Sequence, residues 1–208
     1  MSAATSGPRR AVTADSVTDA AEELLAERGF EGLSVRHVAE AVGASRQVVY
    51  THFDGMDGLL DAIHRRFTAR LGEAVDGVDA DRGSEEHLVV AGRAYRSMAR
   101  AHPGPYQLVF ERPVVDHAVG AAALAAGRAS FGSIVGAAAA WLVRSGRLVE
   151  GDLDPAAPRT WPAEAVRLAR AMWSLNHGVV VLERAGLSDP DEGEAIADDS
   201  LRALLAGW

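Results

Sequence analysis

The sequence predicts an all-α protein, with an N-terminal three-helix domain that contains a helix-turn-helix and a larger helical domain behind it. Three observations carry this prediction. Apolar residues near the N-terminus recur three and four positions apart, the spacing of one helical face. Two of those short periodic segments are separated only by Gly43-Ala44-Ser45, the length of turn that joins two helices at a fixed angle. Beyond residue 56, further helical stretches are divided by Gly, Pro and Asp, with no repeat or low-complexity segment among them.

Residues 13–28, TADSVTDAAEELLAER, form the first element. Val17, Ala20, Ala21, Leu24 and Leu25 share one face, and Asp15, Asp19, Glu22, Glu23 and Glu27 lie opposite, where they are expected to meet solvent. Gly29 stands just past the end, where a left-handed backbone is needed. Ser34 then opens VRHVAEAV, with Val35, Val38, Ala39 and Val42 at helical spacing and Gly43 as its stop. Ser45 is the expected N-cap of the third helix.

On that third helix Val49 and Phe53 are an i, i+4 pair directed at the core, while Arg46, Gln47, Tyr50 and Thr51 form an outer arc. A guanidinium fork, an amide that gives and accepts, and hydroxyls are the groups that pair with base edges and phosphates in the major groove. For a lone polar helix, a solvated face with a stray tyrosine is the plainer reading. The spacing of the whole unit favours the first.

A fourth helix is predicted from Met56 to about Val75, and Ser84 caps a fifth that carries Leu88, Ala91, Tyr95 and Met98. Pro103 and Pro105 force a kink or a short new helix, and Pro113 interrupts again. An Ala-rich helix follows to about Val143. Its uncharged part, Ala129–Val143, is shorter than the roughly 20 residues a membrane span needs, and reads as a buried helix of small residues. After a loop, Pro162 suits the first turn of a helix that Gly186 stops, and residues 190–206 supply a last amphipathic helix. The expected organisation is an arm over 1–12, the helix-turn-helix domain over 13–55 and the larger body over 56–208.

Composition narrows the function. Of 208 residues, 48% are apolar and 24% charged, the make-up of a soluble globular protein with a proper core. The absence of cysteine excludes disulfides, thiolate metal sites and cysteine nucleophiles. Seven histidines without ligand-like spacing argue against a metal site, and no nucleophile has a nearby base. No Gly-rich loop is present to cradle a phosphate. The expectation is therefore no enzyme and no cofactor. The N-terminus has no apolar run behind its arginines, so no secretory signal is read and a cytoplasmic location is expected, without membrane partners.

All 21 basic residues are arginine, and the net charge is −8. Residues 1–66 carry seven arginines against ten acids, but within 34–53 Arg36 and Arg46 outnumber Glu40. Nucleic-acid binding must then be local, with a shallow salt dependence. Arg9 and Arg10 on the arm are either additional phosphate contacts or part of a disordered tail.

Residues 13–67 resemble the DNA-binding domain of TetR-type (tetracycline-repressor-like) bacterial regulators. The likeness rests on a helix ending in Gly-Phe, Ser-Val-Arg opening the second helix, Val-Gly-Ala-Ser at the turn, and Tyr-Thr-His-Phe closing the third. A Leu-Leu-x-x-Ile helix follows. The DNA surface is accordingly expected at Arg36, Ser45, Arg46, Gln47, Tyr50, Thr51 and His52. Gln47 and Thr51 are the expected base readers, Ser45, Tyr50 and His52 the phosphate holders, and Arg36 and Arg46 serve either role. The family usually places a phosphate-holding lysine at the start of helix four. Here Met56 stands there between Asp54 and Asp57, so that contact is lost or supplied elsewhere.

A second resemblance covers most of 84–185. PGPYQLVF, then GRL…DLDP, then MWSLNHGVVVLE are similar to the effector domain of a TetR subgroup marked by a Trp-x-x-x-His-Gly helix, matched by Trp173, His177 and Gly178. It implies a body that binds a small molecule and a homodimer formed by helices 162–185 and 190–206. Mid-helix Gly178 costs about 1 kcal/mol against alanine, which close approach by another helix would justify. Gly178, Val179, Leu182 and Leu201 are the expected seam. Tyr95, Tyr106, Phe110, Phe131 and Trp173 are expected to wall an effector pocket, with Asn176, His177 and His102 as its polar members, suiting an aromatic or otherwise lipophilic compound. The function implied is a ligand-responsive repressor released from a palindromic double-stranded operator. The alternative, supported by Met56 and the acidic head, is an all-helical small-molecule-binding protein or enzyme whose head no longer binds DNA.

Overall fold

Thr13 begins the first helix by capping it. Its hydroxyl accepts from the Ser16 N–H, and Ser16 Oγ accepts from the Thr13 N–H in return, so two otherwise unpaired donors of α1 (Ala14–Gly32) are satisfied. The computed structural model describes residues 11–111, 117–149, 151 and 160–208; Arg9, Arg10, Pro113 and the stretch 152–155 lie outside them. Gly29, at φ 63°, breaks the helical path as its sequence position predicts, and one more turn follows. The acids of α1 divide. Asp15, Glu23 and Glu27 face solvent. Asp19 stays exposed while it pairs with Arg66, and Glu22 alone is drawn in, against Arg70 on the fourth helix, which corrects the all-solvent expectation at that residue.

Ser34 accepts from the His37 N–H and starts α2 (Val35–Ala41). The chain turns at Gly43 (φ 65°) and enters α3 (Gln47–Phe53). Here the expected cap fails: Arg46 already has helical backbone angles at the cap position, and Ser45 gives its carbonyl, not its hydroxyl, to the Val48 N–H at 3.0 Å. Asp54 and Gly55, both at positive φ, reverse the chain into α4 (Met56–Asp76).

The long α4 belongs to two cores. Leu59, Leu60 and Ile63 pack with Val17, Leu24, Leu25, Val38 and Val49 of the first three helices. Two turns on, Phe67 and Leu71 join Tyr95, Tyr106 and Val180. Ser84 caps α5 (Glu85–Ala101), and Pro103 opens α6 (Pro103–Phe110), the short new helix the proline pair demands. This α6 reaches back to the head. Leu108 enters the head core, and Gly104 lies so close to α1 that a Cβ there would stand 2.7 Å from Leu25 Cβ.

The Ala-rich α7 (Ala121–Arg144) crosses α4 closely: a Cβ on Gly72 would stand 3.3 Å from Ser130 Cα. By length and composition α7 suffices to span a membrane, yet half of its most apolar stretch is buried inside the fold. With α5, α8 (Ala163–Arg184) and α9 (Pro190–Gly207) it encloses the third core, built on Leu88, Val135, Leu142, Leu168, Met172, Leu201 and Leu205. One buried polar knot fastens these helices. Arg96 of α5, 1% exposed, donates to Asp198 of α9 at 3.0 Å and to Asn176 Oδ1 of α8, while Arg93 donates to the other Asp198 oxygen at 2.8 Å. The described residues form nine helices and no strand.

Candidate DNA-reading head and effector cavity

The geometry of α3 follows from its apolar pair. Val49 is fully buried and Phe53 partly so, which turns the rest of the helix outward. Arg36, Ser45, Arg46, Gln47, Tyr50, Thr51 and His52 are all exposed, with Tyr50 at 52% an unusual open aromatic. Arg36 is less free than its sequence suggests. His37 Nδ1 lies 2.7 Å from the Gly32 carbonyl and donates to it, leaving Nε2 as acceptor for the Arg36 guanidinium at 2.8 Å. Glu40 lies 3.6 Å from the same guanidinium. His37 thus orients one of the two arginines of the expected DNA surface, a role that sequence reasoning missed. Met56 turns inward against the head core, so the position where a lysine is usual carries a packing side chain.

Between α4, α6, α7 and α8 lies a cavity of about 330 Å³. Four of the eight expected pocket residues line it: Tyr95, Phe110, Phe131 and Trp173. The other four do not. Tyr106 is fully buried, and its hydroxyl is hydrogen-bonded with His177 Nδ1 at 2.5 Å. Burial holds the His177 imidazole below the usual histidine range, which favours the neutral ring. Asn176 is engaged by Arg96 and by the Met172 carbonyl, and borders a separate void of about 20 Å³. His102 packs against the Phe67 ring and faces a groove between α1 and α6. The Tyr95 hydroxyl accepts from Trp173 Nε1 at 3.0 Å, and burial pushes its pKa up to about 12.

Sequence reasoning overlooked the aliphatic wall, Leu71, Val109, Leu124 and Ile134, and the polar lining of His64, Thr68, Arg128 and Ser130. A signal for part of it existed: residues 124, 127, 128, 131 and 134 recur along one face of α7. The cavity also sits next to the head by a direct tether. Both Asp61 oxygens, on the first turns of α4, accept from the Gly120 N–H at the start of α7, at 3.0 and 3.1 Å. His117 lies 3.2 Å from Asp61 and 3.3 Å from Asp57.

The outer face of α8 and α9 requires a correction. Leu201 and Val179 are 2% and 5% exposed and pack within their own chain, so neither offers surface to a partner. Gly178 and Leu182 are exposed, and among the described residues no atom of another helix lies within 4 Å of where a Gly178 side chain would begin. Val181, Leu187 and Ile196 are further open apolar residues on this side.

A helix-turn-helix head with an open third helix, joined through a shared helix to an all-helical body with an internal cavity, is the architecture of a ligand-gated DNA-binding regulator. Residues 17–63 match the family model for bacterial regulatory proteins of the tetR family, and residues 88–206 match the tetracyclin repressor-like C-terminal domain. The chain belongs to the tetR family. It is similar to an uncharacterized HTH-type transcriptional regulator of Mycobacterium tuberculosis, 26% identical over 93% of this chain and 80% of that one. The HTH-type transcriptional repressor AcnR of Corynebacterium diphtheriae is 37% identical over 59 residues, 28% of this chain and 31% of its own. In fold it resembles the TetR family transcriptional regulator PfmR from Thermus thermophilus, with a TM-score of 0.61 at 20% identity over 92% and 95% of the two chains. A Rhodococcus protein of unknown function superposes with a TM-score of 0.74 at 23% identity, over 97% and 98%. The protein is a transcriptional regulator and not an enzyme.

Proposed function

We propose that the protein is a cytoplasmic, ligand-responsive repressor. As a homodimer it holds a palindromic double-stranded operator, and it releases that operator when a lipophilic or aromatic small molecule enters the body cavity. The observation that carries this reading is the state of α3 and its approach, where every expected DNA-contacting side chain is exposed while Val48, Val49 and Phe53 hold the helix to the core. In this reading Gln47 and Thr51 read base edges, Ser45, Tyr50 and His52 hold phosphates, and Arg36 and Arg46 take either part. Membership of the Trp-x-x-x-His-Gly subgroup is supported by the separate work of its three residues: Trp173 walls the cavity, His177 anchors Tyr106, and Gly178 lies on an open face.

Two heads of a dimer read half-sites about one helical turn, ~34–36 Å, apart, so a small rotation breaks the match. The cavity shares α4 with the head, and a coupling of about 1–3 kcal/mol suffices for a useful switch. The decisive experiment selects duplexes from a randomised palindromic pool with the full-length protein, then screens compounds for release. A preferred palindrome freed by an apolar compound is the expected outcome. If no duplex is preferred over random sequence, the DNA-reading assignment fails. If a palindrome binds but Trp173→Ala weakens that binding as much as it weakens the response, Trp173 is structural and its place in the effector site fails.

A further inference from the structure

We infer that the effector is an amphipathic organic anion, its apolar body filling the 330 Å³ cavity and its carboxylate bound at the rim by Arg128. This inference rests on the effector-cavity reading given above and adds the charge of the compound and the residue that recognises it.

The interior of the cavity is made for an uncharged group. Most of its lining is apolar, with Leu71, Phe110, Phe131, Ile134 and Trp173 among it. The hydroxyl groups of two polar members are engaged within the fold: Tyr95 accepts from Trp173 Nε1, and Thr68 donates to the His64 carbonyl at 2.9 Å. A charge seated among these rings would lose its hydration, which is costly in an apolar site.

The rim differs. Arg128 lines the cavity and is also exposed to solvent, and it makes no hydrogen bond or ion pair with any described residue. Acids outnumber arginines 29 to 21 in this chain, and the arginines of the body mostly hold carboxylates, as Arg96 holds Asp198 and Arg184 holds Glu111. Yet no Asp or Glu is among the described residues that line the cavity. One turn before Arg128, Leu124 is an apolar side chain left 41% exposed on the same wall. An uncommitted guanidinium beside an open apolar side chain, at the mouth of an apolar cavity, complements a carboxylate on a hydrocarbon or aryl body. A guanidinium meets a carboxylate through two parallel N–H donors, which gives direction as well as attraction. The ligand therefore enters apolar end first.

The test uses the full-length protein and three probes of equal chain length, decanoate, decanamide and decyltrimethylammonium, with binding read by titration calorimetry and by tryptophan emission. Decanoate is expected to bind about tenfold more tightly than decanamide, the scale of one charge-assisted hydrogen bond, with the ammonium weakest. Arg128→Ala should erase the decanoate advantage while leaving decanamide binding unchanged, and Arg128→Lys should keep part of it. Equal binding of decanoate and decanamide to the unaltered protein overturns the anion inference but leaves the cavity as the effector site. So does a decanoate advantage that survives Arg128→Ala. If none of the three probes binds or moves the tryptophan emission, the effector-cavity reading itself fails and the inference falls with it.

Discussion

His177 Nδ1 meets the Tyr106 hydroxyl at 2.5 Å in a site closed to solvent around Tyr106. Burial lowers the pKa of His177, with Glu111 opposing in part, and burial followed by Arg82 lowers that of His87. A base whose folded pKa lies below its unfolded value of 6.5 leaves the unfolded chain with more bound protons in acid. Stability contributed by these two rings is thus present above about pH 6.5 and declines as pH falls toward the lowered folded values. Urea midpoints between pH 8 and 5 should show that decline, and His177→Gln should flatten it. Removing one partner of the Arg96–Asp198 pair strands a charge that is 1% exposed, so Asp198→Ala should cost about 3–5 kcal/mol in urea unfolding. In the head, Gln47→Ala should cost about 1–3 kcal/mol of operator affinity and relax preference at one base position, read by fluorescence anisotropy across single-base variants. Residue roles were only half legible in the sequence. Trp173 and Phe131 could be assigned to a cavity because large aromatic rings on enclosing helices leave few other places to go. Tyr106, Asn176 and His177 could not, because a polar side chain that serves the core and one that faces a ligand look alike until their partners are known.

Element ends were the most legible feature, since caps and stops are local chemistry. Ser34, Ser84 and Gly186 act where their sequence positions place them. The start of α3 was missed because Arg46 already has helical angles, which the preference of serine for caps does not reveal. The acid stripe of α1 misled for another reason: helical spacing assigns a face but not the neighbour that meets it, and Arg66 and Arg70 lie over forty residues away in sequence. Where α4 meets α7, the approach at Gly72 is tight enough that a branched side chain must push the helices apart. Gly72→Leu is expected to lower stability by about 1–3 kcal/mol, the usual cost of overpacking. Because α4 also carries head residues, the same variant should reduce operator affinity under conditions where thermal melts show it folded.

For the whole molecule, charge and assembly set the measurable behaviour. Each neutralised phosphate contributes a slope of roughly −0.9 to the dependence of log affinity on log salt. A dimer using only Arg36 and Arg46 on each head should therefore show a slope no steeper than about −4. A steeper one would assign phosphates to Arg9 and Arg10 as well. Sedimentation at micromolar concentration should give a dimer, and Leu182→Arg should yield monomers with weakened operator binding; a dimer unaffected by that change would move the seam elsewhere. The contact of α6 with α1 bears on how such regulators can be rebuilt. Leu108 and Gly104 make part of the body a structural component of the head, and the first turns of α4 do the same. A chimera cut at the turn between α3 and α4, the boundary that motifs suggest, would graft a foreign reading head onto the wrong bed. Transplants that also carry positions 59–63 and 104–108 should express folded, whereas cuts at 55 should melt early or aggregate. On those outcomes operator specificity would not be a detachable cartridge, because α6 of the body completes the core on which α3 rests.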